Sequence, residues 1–538
     1  MARFAFQKQF GRFARDEDGS IIVFALILFV LMVMLGGMAV DIMRYEDTRV
    51  TLQQTLDRST LAAASMSQTL NAEDVVADYM SKAGLGDQLD NVIVTRSETQ
   101  SSVMARGKVD LNPYFMHMMG IHELPARATA QAEQSVDNLE ISLVLDVSGS
   151  MSGQKIIDLR AAAAEFVTTM LQNDPFGRVS ISIVPYNAQV NLGAPLRSKF
   201  QAINLHGVPN IDCLELPDAA YVTPGVPRDL NLPMMAYADL SGSTSKVDTA
   251  VSPTSSSYAL PNYGSSFCRP HQENIVRLPS QDLPTIVARI NALTAGGNTS
   301  ITLGMKWGMT LLDPVMTSAF QEFSTAGLMS ANLADRPFAY SDTQSQKVII
   351  LMTDGEHVAH SRITDAYKTG PSPIWLATDG RYSVYKEAIA GLDKFYVPHL
   401  DSFQATPYIG TGVAVPQTWE QIWTKLKVSY VAWQFSGRAM ANDTAGQNAA
   451  YNAAMSAMVS QWKSASQMDT MLQTTCGQAR DNGVLVFGVA FQAPTGGQAQ
   501  ILNCATNPGY YFDATNGEVL RAAFRQIATN LTQLRLTQ

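Results

Sequence analysis

Cysteine is scarce in this sequence, and no pair of cysteines has a metal-binding spacing. The only four in 538 residues are Cys213, Cys268, Cys476 and Cys504. None of them forms a C-x-x-C pair, which argues against a thiolate metal centre and against a dithiol redox motif. A basic patch is also lacking, because the formal net charge is −9 and the pI is about 5.3. We therefore do not expect nucleic acid as a partner.

Three common catalytic motifs are missing as well. There is no G-x-x-x-x-G-K-[ST] phosphate loop and no H-E-x-x-H zinc motif, and the residues around Ser148 and Ser150 read DVSGSM rather than G-x-S-x-G. We therefore expect a protein that is not an enzyme and has no catalytic residues. One enzymatic alternative stays open, a metal-dependent hydrolase in which Asp354 would act together with His357 and His360.

Apolar residues, by contrast, are plentiful. They make up 46% of the chain, enough for a packed core. At about 150 residues per domain, the length allows roughly three or four domains. The sequence therefore predicts a folded, multidomain protein rather than a disordered one.

An uncharged, strongly apolar run covers Ser20–Val40. As a helix this run would be about 30 Å long, the thickness of a bilayer core. It predicts a transmembrane helix at residues 20–40, with residues 1–19 as a cytoplasmic tail. The slight excess of Lys and Arg before the run favours this orientation. The alternatives are a buried core helix and a cleaved signal peptide, for which Gly37-Met38-Ala39 would be the cleavage site.

Residues 41–134 predict a juxtamembrane helix followed by a small α+β module. The helix is expected over Glu46–Leu70, where the sequence has a loose apolar stripe and no Gly or Pro. His117 and His122 lie in the module, and we interpret them as packing or surface residues rather than ligands. The expected elements of the module are two strands, a short helix and a third strand: Asn91–Arg96, Val103–Leu111, Asn112–Gly120 and Ala126–Glu133.

The next pattern is an apolar run that ends in a small-residue turn. Leu139–Leu145 leads directly into Asp146-Val147-Ser148-Gly149-Ser150. Such a run is typical of a strand buried on both faces of a parallel sheet, and open α/β sheets place ligand sites at the carboxyl ends of their strands. Asp146, Ser148 and Ser150 alternate and can converge. Their hard oxygen atoms suit Mg²⁺, Mn²⁺ or Ca²⁺.

Two later stretches add oxygen ligands of the same kind. A glycine turn at residues 295–300 (AGGNTS) opens a helical run and offers the hydroxyl of Thr299. A second buried strand, Lys347–Thr353, ends at Asp354-Gly355. Thr299 also has a simpler interpretation as a helix N-cap.

The combination strand–DxSxS, GGxT and strand–TDG resembles the von Willebrand factor A domain. The resemblance implies a doubly wound, Rossmann-like α/β fold over residues 139–535. It also implies a metal-ion-dependent adhesion site, in which Mg²⁺ (or Mn²⁺ or Ca²⁺) leaves one position open for an acidic residue of a protein partner. The matching ligands are Asp146, Ser148, Ser150, Thr299 and Asp354.

The N-terminal region has a resemblance of its own. Phe13–Ser20, the apolar run and its end at Gly36–Asp41, then Leu52–Asp57 and Leu61–Ala64 look like the N-terminal domain of TadG-type proteins over residues 13–64. These proteins belong to the Tad (tight adherence) system, which assembles Flp pili in bacteria. Related pseudopilins carry Glu five residues after the cleaved Gly. The corresponding residue after Gly19 is Phe24, so we do not expect processing by prepilin peptidase.

Two long segments interrupt the expected A domain, at residues 193–281 and 357–466. The first is rich in Pro, Ser and Gly, includes the nearly low-complexity Ser241–Ser257, and is interpreted as an insertion closed by a Cys213–Cys268 disulfide. The second contains most of the tryptophans. They indicate either a satellite hydrophobic core, which we favour, or a partner-binding surface beside the metal.

Regular elements fill the rest of the A-domain region. A disulfide between Cys476 and Cys504, which flank a buried strand, would match the C-terminal cysteine pattern of TadG-type proteins. Strands are expected at Arg178–Pro185, whose alternating apolar residues suggest a sheet edge, at Ala188–Leu192, as the short antiparallel strand that A domains carry, and at Gly483–Phe491 and Gly509–Asp513. Helices are expected at Lys155–Leu171, Asp282–Leu293, Ser300–Leu312, Asn448–Lys463, Asp469–Asp481 and Gly517–Leu536.

Together these patterns predict a single-pass protein of the bacterial inner membrane, with a cytoplasmic N-terminus and the bulk of the chain periplasmic or extracellular. It would take part in Flp pilus assembly and adhesion, and bind pilus-assembly or surface proteins through the metal. The alternative is a surface adhesin or envelope sensor that acts independently of pili.

Overall fold

The computed structural model describes residues 20–65, 70–96, 100–135, 138–172, 174–240, 268–342, 344–387 and 394–537. The expected cytoplasmic tail and Ser241–Ser257 lie outside these residues. The chain divides into two compact units, with the boundary at residues 136–137.

The first unit is built on one long helix. Helix α1, Ser20–Ala63, has 44 residues, and the side chains of its first half are mostly exposed and apolar. The second half packs against the rest of the unit through Leu52 and Leu56, which are fully buried. The helix therefore continues beyond the apolar run, as expected, but ends at Ala63 rather than at Leu70.

A three-stranded antiparallel sheet covers the second half of α1. Its order is β1-β2-β3, and alternate residues of β2 and β3 such as Val103 and Ala130 face the helix. The sequence analysis did not predict α2, whose N-cap is Asn71. Only four residues of the expected short helix, Met116–Met119, form a helical turn. The elements of this unit after α1 are α2 Ala72–Lys82, β1 Leu89–Arg96, β2 Gln100–Leu111 and β3 Leu124–Ser135.

The second unit contains a six-stranded sheet of order β18-β17-β9-β4-β5-β8. Five strands are parallel, and β8 pairs antiparallel with β5. The strands are β4 Asn138–Asp146, β5 Val179–Tyr186, β8 Arg277–Ser280, β9 Ser345–Thr353, β17 Leu485–Phe491 and β18 Tyr511–Ala514. The central strands β4, β5 and β9 are buried almost throughout, because their apolar residues have cover on both faces.

Helices follow most of these strands. They are α3 Gln154–Gln172, α4 Gly193–Arg197, α5 Leu283–Ala292, α6 Ile301–Thr310, α7 Thr317–Thr325, α12 Ala465–Asp481, α13 Thr495–Cys504 and α14 Gly517–Thr537. One face of the sheet packs against α6, α12 and α13 in the largest hydrophobic core. Helices α3 and α14 contact each other through Phe166 and Phe524, whose ring centroids are 5.9 Å apart. The protein is thus a mixed α/β structure with an N-terminal apolar helix, as the sequence predicted.

The segment between β9 and α12 forms a second core. A five-stranded antiparallel sheet, β14-β13-β12-β11-β15, packs with short helices around buried aromatic side chains that include Trp419 and Trp423. Its strands are β10 His360–Ile363, β11 Pro371–Ala377, β12 Tyr382–Tyr385, β13 Phe395–Val397, β14 Ser402–Gln404, β15 Ala414–Thr418 and β16 Val459–Lys463, with β10 paired to β16 outside the sheet. Its helices are α8 Trp419–Trp423, α9 Val428–Ala432, α10 Arg438–Met440 and α11 Thr444–Met458. The tryptophans of α8 are buried, in agreement with a satellite core.

Both expected disulfides are present. Cys213 and Cys268 are joined with a Cα–Cα distance of 5.9 Å, and Cys476 and Cys504 with a distance of 5.1 Å. The second bond links α12 to the end of α13, on either side of β17.

Three expectations were wrong. Ala188–Leu192 is not an antiparallel strand, since it makes only one parallel bridge, between Asn191 and Ile275. The antiparallel strand is instead β8, which lies inside the stretch assigned to the first insertion; β6 Ala202–Ile203 and β7 Leu232–Pro233 form a separate pair there. Because β8 pairs with the outer side of β5, β5 is an interior strand of the sheet. It is not the edge strand that its alternating pattern suggested.

The predicted helix Asn448–Lys463 was also wrong in its last five residues. Helix α11 ends at Met458, and the next five residues form β16 and pair with β10. Alanine-rich sequence favours helix up to that point. Beyond Met458, pairing with β10 determines the conformation. Because β10 is distant in sequence, local propensity does not predict this strand.

Candidate metal centre

The candidate ligands meet at the carboxyl ends of two neighbouring parallel strands. Asp146 is the last residue of β4, and Asp354 directly follows β9. These strands are paired in register, with Leu145 opposite Met352, so the two carboxylates leave the same edge of the sheet side by side. This is the edge at which open α/β sheets bind ligands.

Asp146 is fully buried and fixed by two hydrogen bonds. Its Oδ1 accepts the backbone N–H of Ser148 at 2.8 Å, and its Oδ2 accepts the hydroxyl of Thr353 at 2.7 Å. The first bond folds the chain back on itself directly after β4, which turns the next hydroxyls toward Asp354.

A chain of short contacts links the two serines to Asp354. The Oγ atoms of Ser148 and Ser150 are 2.9 Å apart, and Ser150 donates to Oδ1 of Asp354 at 2.6 Å. Ser150 and Asp354 are 204 residues apart in sequence. The structure therefore brings together four of the five predicted residues within a few ångströms.

Thr299 completes the set through its position beside Gly355. A Cβ on residue 355 would lie 3.3 Å from Oγ1 of Thr299 and 3.8 Å from Oγ of Ser150. The absence of a side chain at Gly355 thus leaves the space between these hydroxyls open. The N-cap of α6 is Ser300 rather than Thr299, so the N-cap interpretation of Thr299 was wrong.

Backbone contacts hold the glycine turn against the DxSxS turn. Gly149 N–H donates to the carbonyl of Gly297, and Gly296 N–H donates to the carbonyl of Val147, both at 2.8 Å. Gly297 has φ +86°, and a Cβ there would lie 2.8 Å from Nδ2 of Asn187. A glycine is required at this position both by the backbone conformation and by the close approach of Asn187.

Two residues of the site escaped the sequence analysis. The ammonium of Lys155, in the first turn of α3, donates to Oδ2 of Asp354 at 2.8 Å, and Thr353 donates to Asp146. Thr353 was visible as the residue before Asp354 in the TDG motif. Nothing in the sequence spacing, however, indicated that Lys155 would reach a carboxylate from another strand.

The electrostatics of the site favour a bound cation. Burial, together with the nearby charge of Asp354, raises the pKa of Asp146 to about 6. Two carboxylates so placed repel each other when both are ionised, and a cation between them removes that cost. Lys155 supplies one positive charge, beside Oδ2 of Asp354.

The histidines of the alternative hydrolase site point elsewhere. His357 accepts from the backbone N–H of Thr302 at 3.0 Å and contacts Asp469 through its other ring nitrogen at 2.7 Å. His360 is buried against Gln189, and burial lowers its pKa to about 3. The contacts of His357 with Thr302 and Asp469, and of His360 with Gln189, thus go to partners outside the group around Asp354. His117 and His122 are exposed residues of the first unit.

The donor chemistry fits a hard divalent cation. Two carboxylates and three hydroxyls offer oxygen alone, the set preferred by Mg²⁺, Mn²⁺ and Ca²⁺. In the part of the chain that the structure describes, no group of three or more His, Cys, Asp or Glu side chains forms a candidate metal cluster. A metal here would therefore depend on the serine and threonine hydroxyls as well as on the carboxylates.

Comparison with known proteins identifies the N-terminal region. Residues 19–66 match the family described as "Putative Flp pilus-assembly TadE/G-like". None of the curated proteins compared with the chain matches it.

Solved structures similar to the chain include several pilus proteins. The von Willebrand factor domain of the type V pilus tip protein of Porphyromonas gingivalis is 13% identical, with a TM-score of 0.32, over 75% of this chain and 98% of that one. The pilus adhesin of Lactobacillus rhamnosus GG is 12% identical, with a TM-score of 0.27, over 82% and 34%. The adhesive tip pilin of Group B Streptococcus agalactiae is 11% identical, with a TM-score of 0.28, over 73% and 99%.

These structural scores are low, whereas the family match falls on the helix that the sequence analysis had assigned to the Tad system. Over residues 19–66, the chain is similar to the TadE/G-like family of Flp pilus-assembly proteins.

Proposed function

We propose that this protein is a membrane-anchored, extracytoplasmic component of Flp pilus assembly and adhesion, which binds protein partners through a divalent metal. Its second unit would be a von Willebrand factor A domain with a doubly wound sheet, and its metal would be Mg²⁺, Mn²⁺ or Ca²⁺. The proposal joins the TadE/G-like match of the N-terminal region to the side-chain geometry at the end of β4 and β9.

One observation carries the metal proposal. Ser150, in the turn after β4, donates to Asp354, in the turn after β9, at 2.6 Å, while Ser148 lies 2.9 Å from Ser150. A small divalent cation could be held by Asp146, Ser148, Ser150, Thr299 and Asp354, with water completing the set. A bound cation would supply a positive centre to which a partner carboxylate can bind.

The chain's own residues would prepare that contact. Thr353 and the backbone of Ser148 hold Asp146 in place, and Gly355 keeps the space beside Thr299 open. Because these contacts fix the oxygen atoms before the cation arrives, little ordering is left to oppose binding.

Anchoring is the second part of the proposal. The apolar first half of α1 would cross the inner membrane once, with the N-terminus in the cytoplasm. This helix contains a stretch that is long and apolar enough to span a bilayer, and hardly any of that stretch is buried in the protein. Two disulfides in the second unit support a location in an oxidising compartment beyond the membrane.

Thermal unfolding of the full chain in detergent tests the metal proposal. We expect Mg²⁺, Mn²⁺ or Ca²⁺ to raise the melting temperature above that in EDTA, because a ligand at 100 times its dissociation constant adds about 2.7 kcal/mol to the unfolding free energy. The variant Ser148→Ala/Ser150→Ala should lose this increase. Its matched control is Ser330→Ala, an exposed serine far from the site in sequence.

The pilus part is tested in a strain that lacks the gene. Restoring the wild-type gene should restore Flp pili, and restoring the serine double variant should not. Normal pili in the deletion strain together with altered attachment would contradict a role in assembly, and would support an adhesin that acts independently of pili.

In the thermal unfolding experiment, an equal melting temperature with metal and with EDTA would contradict the metal site.

A further inference from the structure

A loop of the first unit packs against α1 inside the apolar run. Between β2 and β3 the chain reads NPYFMHMMGI over residues 112–121. The ring of Phe115 lies directly on Gly37, and a Cβ on residue 37 would collide with it. Gly37 is three residues before the end of the run at Val40, a distance of about 4.5 Å along the helix.

Asp41 fixes the loop at this height. Its carboxylate accepts the backbone N–H groups of Tyr114, Phe115 and Met116 at 2.8, 2.7 and 2.8 Å, and it is almost fully buried. Three charge-assisted hydrogen bonds from consecutive residues leave the loop little freedom to move away from α1. The carboxylate of Asp41, the first residue after the apolar run, therefore holds the loop against α1.

The outer surface of the loop is mostly apolar, although His117 is also exposed on it, and it has no cover within the described part of the unit. The exposed fractions are 62% for Tyr114, 64% for Met118 and 48% for Met119. Arg44, one turn beyond Val40, stacks on the ring of Tyr114 with its guanidinium carbon 3.9 Å from the ring centroid. An apolar surface with a tyrosine and an arginine at its upper edge is the pattern of groups that lie at a membrane boundary.

We propose that residues 114–121 form a second membrane contact, which lies in the lipid headgroup region beside the transmembrane part of α1. The inference rests on the proposed membrane span of residues 20–40. If that span fills the bilayer core, Gly37 lies just inside the core boundary, and Phe115 lies beside it. The exposed methionines then meet lipid rather than water, which removes the cost of exposing them.

The contact would also orient the first unit. A single transmembrane helix alone would leave the module free to tilt relative to the membrane normal. A second apolar contact, joined rigidly to α1 through Asp41, restricts that tilt and fixes which side of the β1-β2-β3 sheet faces the membrane.

Spin labelling of the full chain in phosphatidylcholine–phosphatidylglycerol vesicles tests the inference. The four native cysteines are all paired, so a methanethiosulfonate nitroxide reacts only at an introduced cysteine. Three single variants are compared: Met118→Cys in the loop, Ile27→Cys in the apolar run and Tyr79→Cys, an exposed position on α2 of the same unit. Power saturation then measures the accessibility of each label to oxygen and to a water-soluble nickel chelate.

We expect the oxygen-to-nickel accessibility ratio at residue 118 to be several-fold higher than at residue 79 and lower than at residue 27. A ratio at residue 118 equal to that at residue 79, with residue 27 in lipid, would overturn the loop contact and leave the anchor intact. A label at residue 118 that neither reagent reaches would mean a contact with protein, and would also overturn it. A label at residue 27 exposed to nickel would overturn the anchor and the loop contact together.

A second variant tests the position of the loop without changing the composition of its exposed surface. Asp41→Ala removes the three hydrogen bonds and leaves every exposed residue of the loop unchanged. In the Asp41→Ala/Met118→Cys protein we expect the ratio at residue 118 to fall toward that at residue 79. An unchanged ratio would show that Asp41 does not hold the loop at the membrane.

Discussion

The ammonium of Lys155 lies 2.8 Å from Oδ2 of Asp354, while Oδ1 of the same carboxylate accepts the hydroxyl of Ser150. A positive charge of the protein therefore already lies on one side of a proposed metal ligand. The side chain of Asp354 is fully buried and that of Lys155 is 24% exposed, so water screens their interaction only in part. This pair should regulate how strongly the site attracts a divalent cation.

Replacing Lys155 by methionine should strengthen metal binding. The lysine repels an incoming cation and competes for Asp354, so its removal is expected to lower the dissociation constant for Mn²⁺ by about tenfold, or about 1.4 kcal/mol. Isothermal titration of the full chain in detergent measures this. Lys155→Arg, which keeps the charge, is the control and should bind Mn²⁺ like the wild type. Weaker binding by Lys155→Met would mean that the lysine helps to build the site.

Metal binding should weaken in acid because Asp146 takes up a proton. Its pKa is raised from 3.8 to about 6 by burial and by the charge of Asp354. Below pH 6 a proton competes with the metal, and affinity should fall by up to about tenfold per pH unit. Titrations between pH 5 and pH 8 measure the dependence. A dissociation constant that stays flat down to pH 5 would contradict a ligand role for Asp146.

The same shift predicts the opposite trend for the metal-free protein. Between 3.8 and about 6 the folded state binds more protons than the unfolded chain, since its pKa is the higher one. The contribution of Asp146 to stability is therefore fully present below pH 3.8 and is lost as the pH rises through 6. Melts in EDTA should show this loss in the wild type and not in Asp146→Asn.

Gly355 should be needed for the open space between Thr299 and Ser150. A Cβ there would lie 3.3 Å from Oγ1 of Thr299, so alanine should weaken metal binding and the larger valine should abolish it. Gly477→Val is the matched control, because a Cβ at Gly477 on α12 meets nothing within 4 Å. Equal Mn²⁺ affinity in wild type and Gly355→Val, measured by titration, would place the metal elsewhere.

Lys306 should make stability depend on pH in the alkaline range. It is buried in the core on α6, where it donates to the carbonyls of Thr223 and Pro224, and burial lowers its pKa from 10.5 to about 7. Between these values the unfolded chain binds more protons, so the contribution of Lys306 to stability increases as the pH rises from 7 to 10.5.

Melts of the wild type and of Lys306→Met over pH 7 to 10 measure this effect. The slope should be smaller in the variant, by at most about 1.4 kcal/mol per pH unit. Lys425→Met, which replaces an exposed lysine, should keep the wild-type slope. The same slope in both variants would show that Lys306 stays protonated in the folded protein.

The sequence by itself determined the features that depend on local pattern. The apolar run of α1 is visible because about 20 apolar residues in a row are needed to cross a bilayer. Strands β4 and β9 are visible because strands buried on both faces are continuously apolar, and the proposed metal ligands Asp146 and Asp354 lie at the end of β4 and directly after β9. The pairing of Cys476 with Cys504 was suggested by the strand that they flank and by the C-terminal cysteine pattern of TadG-type proteins.

Only the tertiary structure decided the features that depend on distant partners. Val459–Lys463 is a strand because it pairs with β10, and β5 is an interior strand because β8 covers it. Lys155 reaches Asp354 across 199 residues of sequence, and Asp41 reaches the loop at Tyr114 across 73. Such contacts leave no periodicity in the sequence, since each is a single pair of groups whose approach is set by the packing of whole elements.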